Sequence, residues 1–117
     1  MKISIKANKL ELTPAIAEYA TVKIGSLERF IKRFEEGGEA EVTVEIARTT
    51  KHHQHGDVYY AEANMNLKGV VIRAEQTDED MRAAIDKIKD TLKLEIQKHK
   101  EKDEIKRQVN RKKKSFA

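Results

Sequence analysis

The chain has 117 residues, of which 38% are charged, and it carries a formal net charge of +4 without any cysteine. This length suits one domain with a modest core, and the lack of cysteine excludes disulfides and thiolate metal sites. No apolar run has the length of a signal peptide or a membrane span, so we expect a soluble cytoplasmic protein with no membrane partner.

The first part of the chain predicts a strand, a helix and a second strand. Residues 2–7 alternate between polar and apolar side chains, which indicates a strand with one buried face. Thr13 followed by Pro14 predicts a capped helix start, and Gly37-Gly38 predicts the helix end. Between them, spacings of three and four predict one helix with a single buried stripe, which is Ile16, Ala20, Ile24, Leu27, Ile31 and Phe34. Residues 40–46 alternate again and predict the second strand.

The second part predicts a long hairpin, a further strand and a final helix. The polar stretch 49–57 predicts the mobile tip of the hairpin, and residues 59–67 predict its returning strand. Gly69 predicts a turn into a strand over residues 70–74, after which Thr77 predicts a capping box at the start of the last helix. The buried stripe of that helix is predicted to be Met81, Ala84, Ile85, Ile88, Leu92 and Ile96.

The predicted order is therefore βαβββα, an α+β fold with a four-stranded sheet and both helices on one face, similar to a double-stranded RNA-binding domain. The other face of the sheet is predicted to be polar; it carries Glu41, Thr43, Glu45, Tyr60, Glu62, Asn64, Asn66 and Arg73. We place the domain at residues 1–102. The helical pattern fades near His99, and residues 103–117 are predicted to form a basic, disordered tail or linker.

Charge and candidate chemistry point to binding rather than catalysis. Residues 98–117 hold 9 Lys/Arg against 3 Asp/Glu, which is typical either of a polyanion-binding end or of a solubilising terminus. His52, His53 and His55 could bring two imidazoles to one metal ion, but a solvated loop explains them better. The acids at 78–80 are better explained by the helix dipole than by a divalent ion. No nucleophile elbow or glycine-rich phosphate loop is present, so we expect no enzyme, cofactor or small-molecule substrate.

Basic side chains lie mostly off the buried stripes of both predicted helices. Parallel helices could hold a positive channel between them, although spacing alone favours an ordinary solvated face laced with acids. These residues are Lys23, Arg29, Lys32 and Arg33 on the first helix, and Arg82, Lys87, Lys89, Lys93, Lys98 and Lys100 on the second.

Five segments carry a resemblance to a known family. They are Leu12-Thr13-Pro14-Ala15, residues 23–29, 58–63 and 72–75, and the run 80–86, and in order they span roughly residues 2–102. In this order and spacing they resemble the ribosome hibernation promoting factor family, also called ribosome-associated inhibitors or sigma-factor modulation proteins. The resemblance implies a domain that binds the small (30S) ribosomal subunit in the tRNA and mRNA channel, contacts 16S rRNA, and inhibits translation under stress or in stationary phase.

The resemblance also implies a set of binding residues and a state for the free protein. By position it carries over Lys23, Arg29, Arg73, Lys93 and Lys98 as rRNA contacts, with Arg82, Lys87 and Lys100 as further candidates. The tail would add electrostatic attraction through Arg111, Lys112, Lys113 and Lys114. We expect a monomer away from the ribosome, and either a short member or the N-terminal domain of a long one. This chain departs from the family at two positions, since the family commonly has an aromatic residue where Arg82 stands and usually a basic residue near Leu94. We therefore expect the contacts around the second helix to differ from those of other members.

A general double-stranded RNA-binding module is the alternative function. Such modules place lysines at the start of their last helix to grip phosphates. Here Asp78, Glu79 and Asp80 occupy that place and would repel phosphate.

Overall fold

The fold is seen in a computed structural model that describes residues 1–49 and 58–115, with side chains as far as Lys112. Its elements are β1 (Lys2–Asn8), α1 (Pro14–Gly25), α2 (Glu28–Ile31), a 3-10 turn (Lys32–Glu35), β2 (Glu41–Thr49), β3 (Val58–Leu67), β4 (Val70–Asp78) and α3 (Met81–Ser115). The predicted α+β class and the order βαβββα are confirmed. The predicted hairpin tip, with His52, His53 and His55, lies outside the described residues except for Thr49, which ends β2.

The four strands form one mixed sheet in the order β1-β2-β3-β4. β1 and β2 are parallel because the helical segments carry the chain back across the sheet between them, and the other pairs form an antiparallel meander. Lys68 and Gly69 connect β3 to β4 with φ angles of 50° and 82°, which is the pair of positive values that a tight two-residue hairpin requires. The Oδ1 atom of Asn66 accepts a hydrogen bond of 3.0 Å from the Gly69 amide and fixes the turn.

The helices bury the sheet face that the sequence predicted to be apolar. All residues of both predicted helical stripes are buried except Met81, which packs against the edge of the core. From the strands, the core receives Val42, Val44, Ile46, Ala61, Ala63, Met65, Leu67, Ile72 and Ala74. The opposite face is polar, as predicted, and it stays open to solvent.

The prediction of one continuous first helix is wrong, because the helix is interrupted at Ser26. The Ser26 hydroxyl donates a hydrogen bond of 2.6 Å to the Lys23 carbonyl, which an uninterrupted helix would use to accept the Leu27 amide. The Leu27 amide bonds to the Ile24 carbonyl instead, at 3.0 Å. Leu27 remains fully buried, so the apolar stripe continues from α1 into α2 despite the break.

The last helix starts and ends differently from the prediction. β4 includes Thr77, so the helix cap is Asp80, whose Oδ1 accepts a 3.0 Å hydrogen bond from the Arg82 amide. The predicted end of the helix near His99 is also wrong, since α3 continues to Ser115. The division into a domain at residues 1–102 and a separate tail or linker stays a prediction. The segment beyond His99 contains many strong helix formers and neither glycine nor proline, so the helix continues after the core has ended. Within the described part of the chain, no helix is long and apolar enough to cross a membrane.

The amino group of Met1 joins β1 to the segment that follows α1. It lies 3.2 Å from the Glu28 carboxylate, 3.1 Å from that of Glu35 and 3.3 Å from that of Glu39. The bond to Glu35, supported by Glu28 and Glu39 against the effect of burial, raises the pKa of the ammonium to about 10 from an ordinary value of 8.0. The ammonium therefore holds α2 against the start of the sheet.

We expect this cluster to make stability fall in alkaline solution. Because the folded pKa of the Met1 ammonium is raised, its contribution is complete below pH 8.0 and is lost as the pH rises through about 10. Urea unfolding at pH 7.5 and pH 10.5 measures the loss. Glu35→Gln is the control, because it removes the main partner of the Met1 ammonium and keeps every lysine and tyrosine that titrates in the same pH range. An equal loss of unfolding free energy in both proteins would contradict a structural role for the ammonium.

Candidate nucleic-acid interface

The helices lie side by side on the sheet and run in the same direction. Tyr19 contacts Asp86, and further along both helices Arg33 contacts Lys100. We call the surface along this contact the interhelical seam. It is lined by Tyr19, Lys23, Arg29, Phe30, Arg33, Arg82, Asp86, Lys93, Lys100 and Asp103.

Tyr19 organises the first end of the seam. Its hydroxyl donates a hydrogen bond of 2.7 Å to the Asp86 carboxylate, and this bond, together with partial burial, raises the pKa of Tyr19. The Lys23 ammonium lies 3.7 Å from the same carboxylate and 5.5 Å from the centre of the Tyr19 ring. The Arg82 guanidinium lies over the same ring, also at 5.5 Å. Two cations from different helices are thus gathered around one aromatic side chain.

Phe30 organises the second end in the same way. Arg29 lies over its ring at 4.7 Å, the Lys93 ammonium lies at 5.1 Å and the Lys100 ammonium at 5.6 Å. Phe30 is partly buried and packs against the core, so its position is fixed by the fold. The cations attracted to its ring are therefore confined to a small part of the surface.

Arg33 ties the 3-10 turn to α3 at the end of the seam. Its Nη2 donates a 3.4 Å hydrogen bond to the Lys100 carbonyl and lies 3.7 Å from the Asp103 carboxylate. Arg107 lies 3.5 Å from the same carboxylate, so Asp103 is shared. This contact joins the two helical segments beyond Ile96, the last buried residue of α3.

Cations outnumber acids along the seam, and most of them are not neutralised. Asp86 faces Lys23 and Asp103 faces Arg33, while Glu residues are absent from its lining as far as the structure describes it. Within the described residues, four cations of the seam make no ion pair: Arg29, Arg82, Lys93 and Lys100. Their charges are available to an anionic partner, and a row of such charges suits a phosphate backbone.

Comparison with known proteins identifies the family. The family model described as "Sigma 54 modulation protein / S30EA ribosomal protein" matches residues 3–104. The chain belongs to this family. The match contains the sheet except for Lys2, and it includes the interhelical seam.

Individual relatives agree with the family match. A ribosome hibernation promoting factor of Klebsiella oxytoca is 30% identical over 102 residues, which cover 87% of this chain and 96% of the relative. One from Azotobacter vinelandii is 32% identical over 108 residues, covering 92% and 90%. Among solved structures, the N-terminal domain of Thermus thermophilus Protein Y is similar with a TM-score of 0.69 at 29% identity, covering 85% of this chain and 99% of that domain. The fold predicted from the resemblance is confirmed.

The structure brings together five of the eight residues predicted to contact rRNA, which are Lys23, Arg29, Arg82, Lys93 and Lys100. The other three lie elsewhere. Lys87 is bound to Asp78 at 2.6 Å and Lys98 lies 3.3 Å from Glu95, both away from the seam. Arg73 is on the open face of the sheet, opposite the helices. Whether any of the eight contacts rRNA stays a prediction.

Arg73 belongs to a polar network on the open face. Its Nη2 lies 3.2 Å from the Glu62 carboxylate and 3.0 Å from that of Glu75, and the Tyr60 hydroxyl lies 2.9 Å and 2.7 Å from the same two groups. The bonds from Asn64 and Tyr60, with the charge of Arg73, lower the pKa of Glu62. The bonds from Tyr60 and Arg73 lower the pKa of Glu75 as well. Arg73 is therefore already engaged with two acids.

The tail residues lie along the projecting part of α3. Arg111 and Lys112 are exposed there, and Lys113 and Lys114 continue the helix. The predicted tail charges are thus carried on a helix rather than on a flexible chain. Arg111 and Lys112 lie more than two helical turns beyond Lys100, so they extend the positive surface away from the core.

The acidic run before α3 has a structural role. Asp80 caps the helix, and the Asp78 carboxylate binds Lys87 and accepts a 2.8 Å hydrogen bond from the Asp80 amide. These bonds, led by that of Lys87, lower the pKa of Asp78. Among the described residues, no group of three or more His, Asp or Glu side chains is arranged to hold a metal ion.

The sequence interpretation missed Tyr19 and Phe30 as members of the site, and it placed Arg33 among the basic residues of the first helix without assigning it a contact. A usable signal existed, because Tyr19 and Phe30 each come directly before a residue of the buried stripe, Ala20 and Ile31. An aromatic residue in that position sits at the border between core and solvent. Basic side chains from a neighbouring helix can reach such a ring.

Proposed function

We propose that this protein binds the small (30S) ribosomal subunit in the channel that tRNA and mRNA occupy, places its interhelical seam against 16S rRNA, and inhibits translation under stress or in stationary phase. Membership of the family supports a ribosome-associated role in hibernation. The alignments with relatives named ribosome hibernation promoting factor cover nearly the whole length of those relatives, which supports the same role. The protein acts here by occupying a site in the cytoplasm, not by catalysing a reaction.

The observation that carries the proposal is the unneutralised charge of the seam. Arg29, Arg82, Lys93 and Lys100 come from two helices that pack on the sheet, and each lies over the ring of Tyr19 or Phe30. Basic groups that are already ordered lose little conformational entropy when they bind phosphate. Each phosphate neutralised also releases condensed counterions, which favours binding.

The projecting part of α3 supplies a second source of attraction. Its cations Arg111, Lys112, Lys113 and Lys114 follow one another on a helix that the core does not hold. We expect them to speed association and to steepen the dependence of affinity on salt, because exposed charges are screened by ions. The seam, in contrast, fixes the position of the bound domain.

A general duplex RNA-binding role is less well supported. The start of α3, where such a module needs lysines, holds Asp78 and Asp80, and the lowered pKa of Asp78 keeps it ionised at neutral pH. Lys87 pairs with Asp78, but Glu79 and Asp80 beside it keep the net charge of this segment negative. This end of the helix would repel a phosphate backbone.

A purified translation reaction tests the function. Protein added before mRNA should reduce synthesis, because the channel is then filled before initiation. Protein added after elongation has begun should act more weakly, since bound tRNA and mRNA would block its site. Undiminished synthesis at several-fold molar excess over ribosomes would overturn the proposal.

A further inference from the structure

Arg29 differs from the other cations of the seam in its geometry. Its guanidinium lies over the Phe30 ring at 4.7 Å, which is the shortest of the cation–aromatic distances within the described residues. Arg29 is exposed while Phe30 is partly buried, so the guanidinium lies between the ring and solvent. Both residues belong to α2, a single helical turn held by the core residue Ile31 and by the Met1–Glu28 ion pair.

A guanidinium in this position can do something that an ammonium cannot. It is planar and weakly hydrated, so its free side offers a flat surface on which a nucleobase can stack. RNA-binding proteins use aromatic rings and guanidinium planes in this way, but only for bases that have left the helical stack. Lys93 and Lys100 lie near the same ring, at 5.1 and 5.6 Å, where they can contact the phosphates on either side of that base.

We propose that Arg29, supported by Phe30, is a stacking site for one unpaired RNA base. The RNA at this end of the seam is then a single-stranded loop or bulge and not a continuous duplex. A-form duplex keeps its bases stacked on one another and leaves this platform unused. The inference rests on the proposed function, because it specifies the kind of RNA that the seam contacts.

Arg29→Lys tests the platform, because it keeps the charge and removes the plane. We expect the variant to bind a short single-stranded RNA and purified small subunits about tenfold more weakly than the parent, as the loss of one stacked base predicts. The slope of log affinity against log salt should not change. Binding to a fully paired RNA duplex should be the same for both proteins.

Arg107→Lys is the matched control. Arg107 is an exposed arginine of α3 that faces Asp103 and lies over no aromatic ring within the described residues. The Arg107→Lys variant should bind single-stranded RNA, duplex RNA and small subunits with the affinity of the parent. The stacking site is overturned if Arg29→Lys binds single-stranded RNA as tightly as the parent does. It is also overturned if the substitution lowers the affinity for single-stranded RNA and for duplex RNA equally. If the parent fails to bind small subunits at all, the proposed function fails first, and the oligonucleotide comparison still decides about the platform.

A fluorescent reporter gives an independent readout. The chain contains no tryptophan, so Phe30→Trp introduces a single indole directly beneath Arg29. Binding of single-stranded RNA should change the emission of this indole, because a base approaches it. Val71→Trp, at a position 63% exposed on the opposite face of the sheet, should show no change. Unchanged emission from Phe30→Trp, while fluorescence anisotropy of labelled RNA reports binding, would overturn the inference.

Discussion

Replacing Arg29 and Lys93 together by alanine should weaken binding to the small ribosomal subunit by about 1–3 kcal/mol, while the fold stays intact. Both cations lie at the Phe30 ring, at 4.7 and 5.1 Å, and neither makes an ion pair within the described residues. Their removal therefore takes charge from the seam without leaving an unpaired acid in the protein. Sedimentation of the variant with purified small subunits at several salt concentrations measures the loss.

Lys2→Ala combined with Lys6→Ala is the control for net charge. These lysines lie on β1 at the open face, so the variant loses the same charge from the side opposite the seam. We expect its affinity to stay close to that of the parent. If neutralising Arg111, Lys112, Lys113 and Lys114 abolishes binding while the seam variant keeps it, the anchoring site is the projecting helix and our assignment to the seam is wrong.

Leu92→Ala should lower the free energy of unfolding by about 2–5 kcal/mol, the range for removing a large buried side chain from a packed core. Leu92 is 0% exposed and belongs to the stripe by which α3 covers the sheet. The loss combines the lost burial of apolar surface with the cavity that remains. Urea unfolding followed by circular dichroism measures the change.

Leu94→Ala is the matched control on the same helix. Leu94 is 59% exposed, so the same substitution two residues later removes little buried surface. We expect a change within about 0.5 kcal/mol, as for most surface substitutions. A larger loss from Leu94→Ala than from Leu92→Ala would mean that α3 packs through a different face.

The sequence was sufficient for the layers of the fold because burial follows a simple period. Val42, Val44 and Ile46 alternate with polar residues, and all three are buried beneath the helices. Ile88, Leu92 and Ile96 recur every four residues and lie in the same core. Such patterns depend only on which side of a strand or helix meets the apolar layer, so they can be derived without knowledge of long-range contacts.

The details that failed depend on local competition and on propensity. The helix is interrupted at Ser26 because the Ser26 hydroxyl, rather than a backbone amide, donates a hydrogen bond to the Lys23 carbonyl. Leu27 is buried even though the helix is interrupted before it. The stripe therefore gave no warning of it. The extension of α3 to Ser115 has few apolar residues to bury, so periodicity ended near His99 while helix propensity continued.

The seam could be predicted in composition but not in arrangement. Off-stripe basic residues were visible on both helices, yet only the fold brings Lys23 to Asp86 and Lys93 to Phe30, across more than sixty residues of chain. The family resemblance supplied Arg73 as a contact together with the helix residues. Alternation along β4 had already indicated that Arg73 lies on the open face, and the structure confirms that it lies opposite the helix residues.

Competition on purified small subunits tests the central claim most directly. Labelled protein is bound to the subunits, and tRNA with mRNA is then added in increasing amounts. We predict that tRNA and mRNA displace the protein, and that the displacement requires more tRNA and mRNA as the protein concentration rises, because all of them occupy one channel. Stable complexes that hold the protein, tRNA and mRNA on the same subunit would contradict the account.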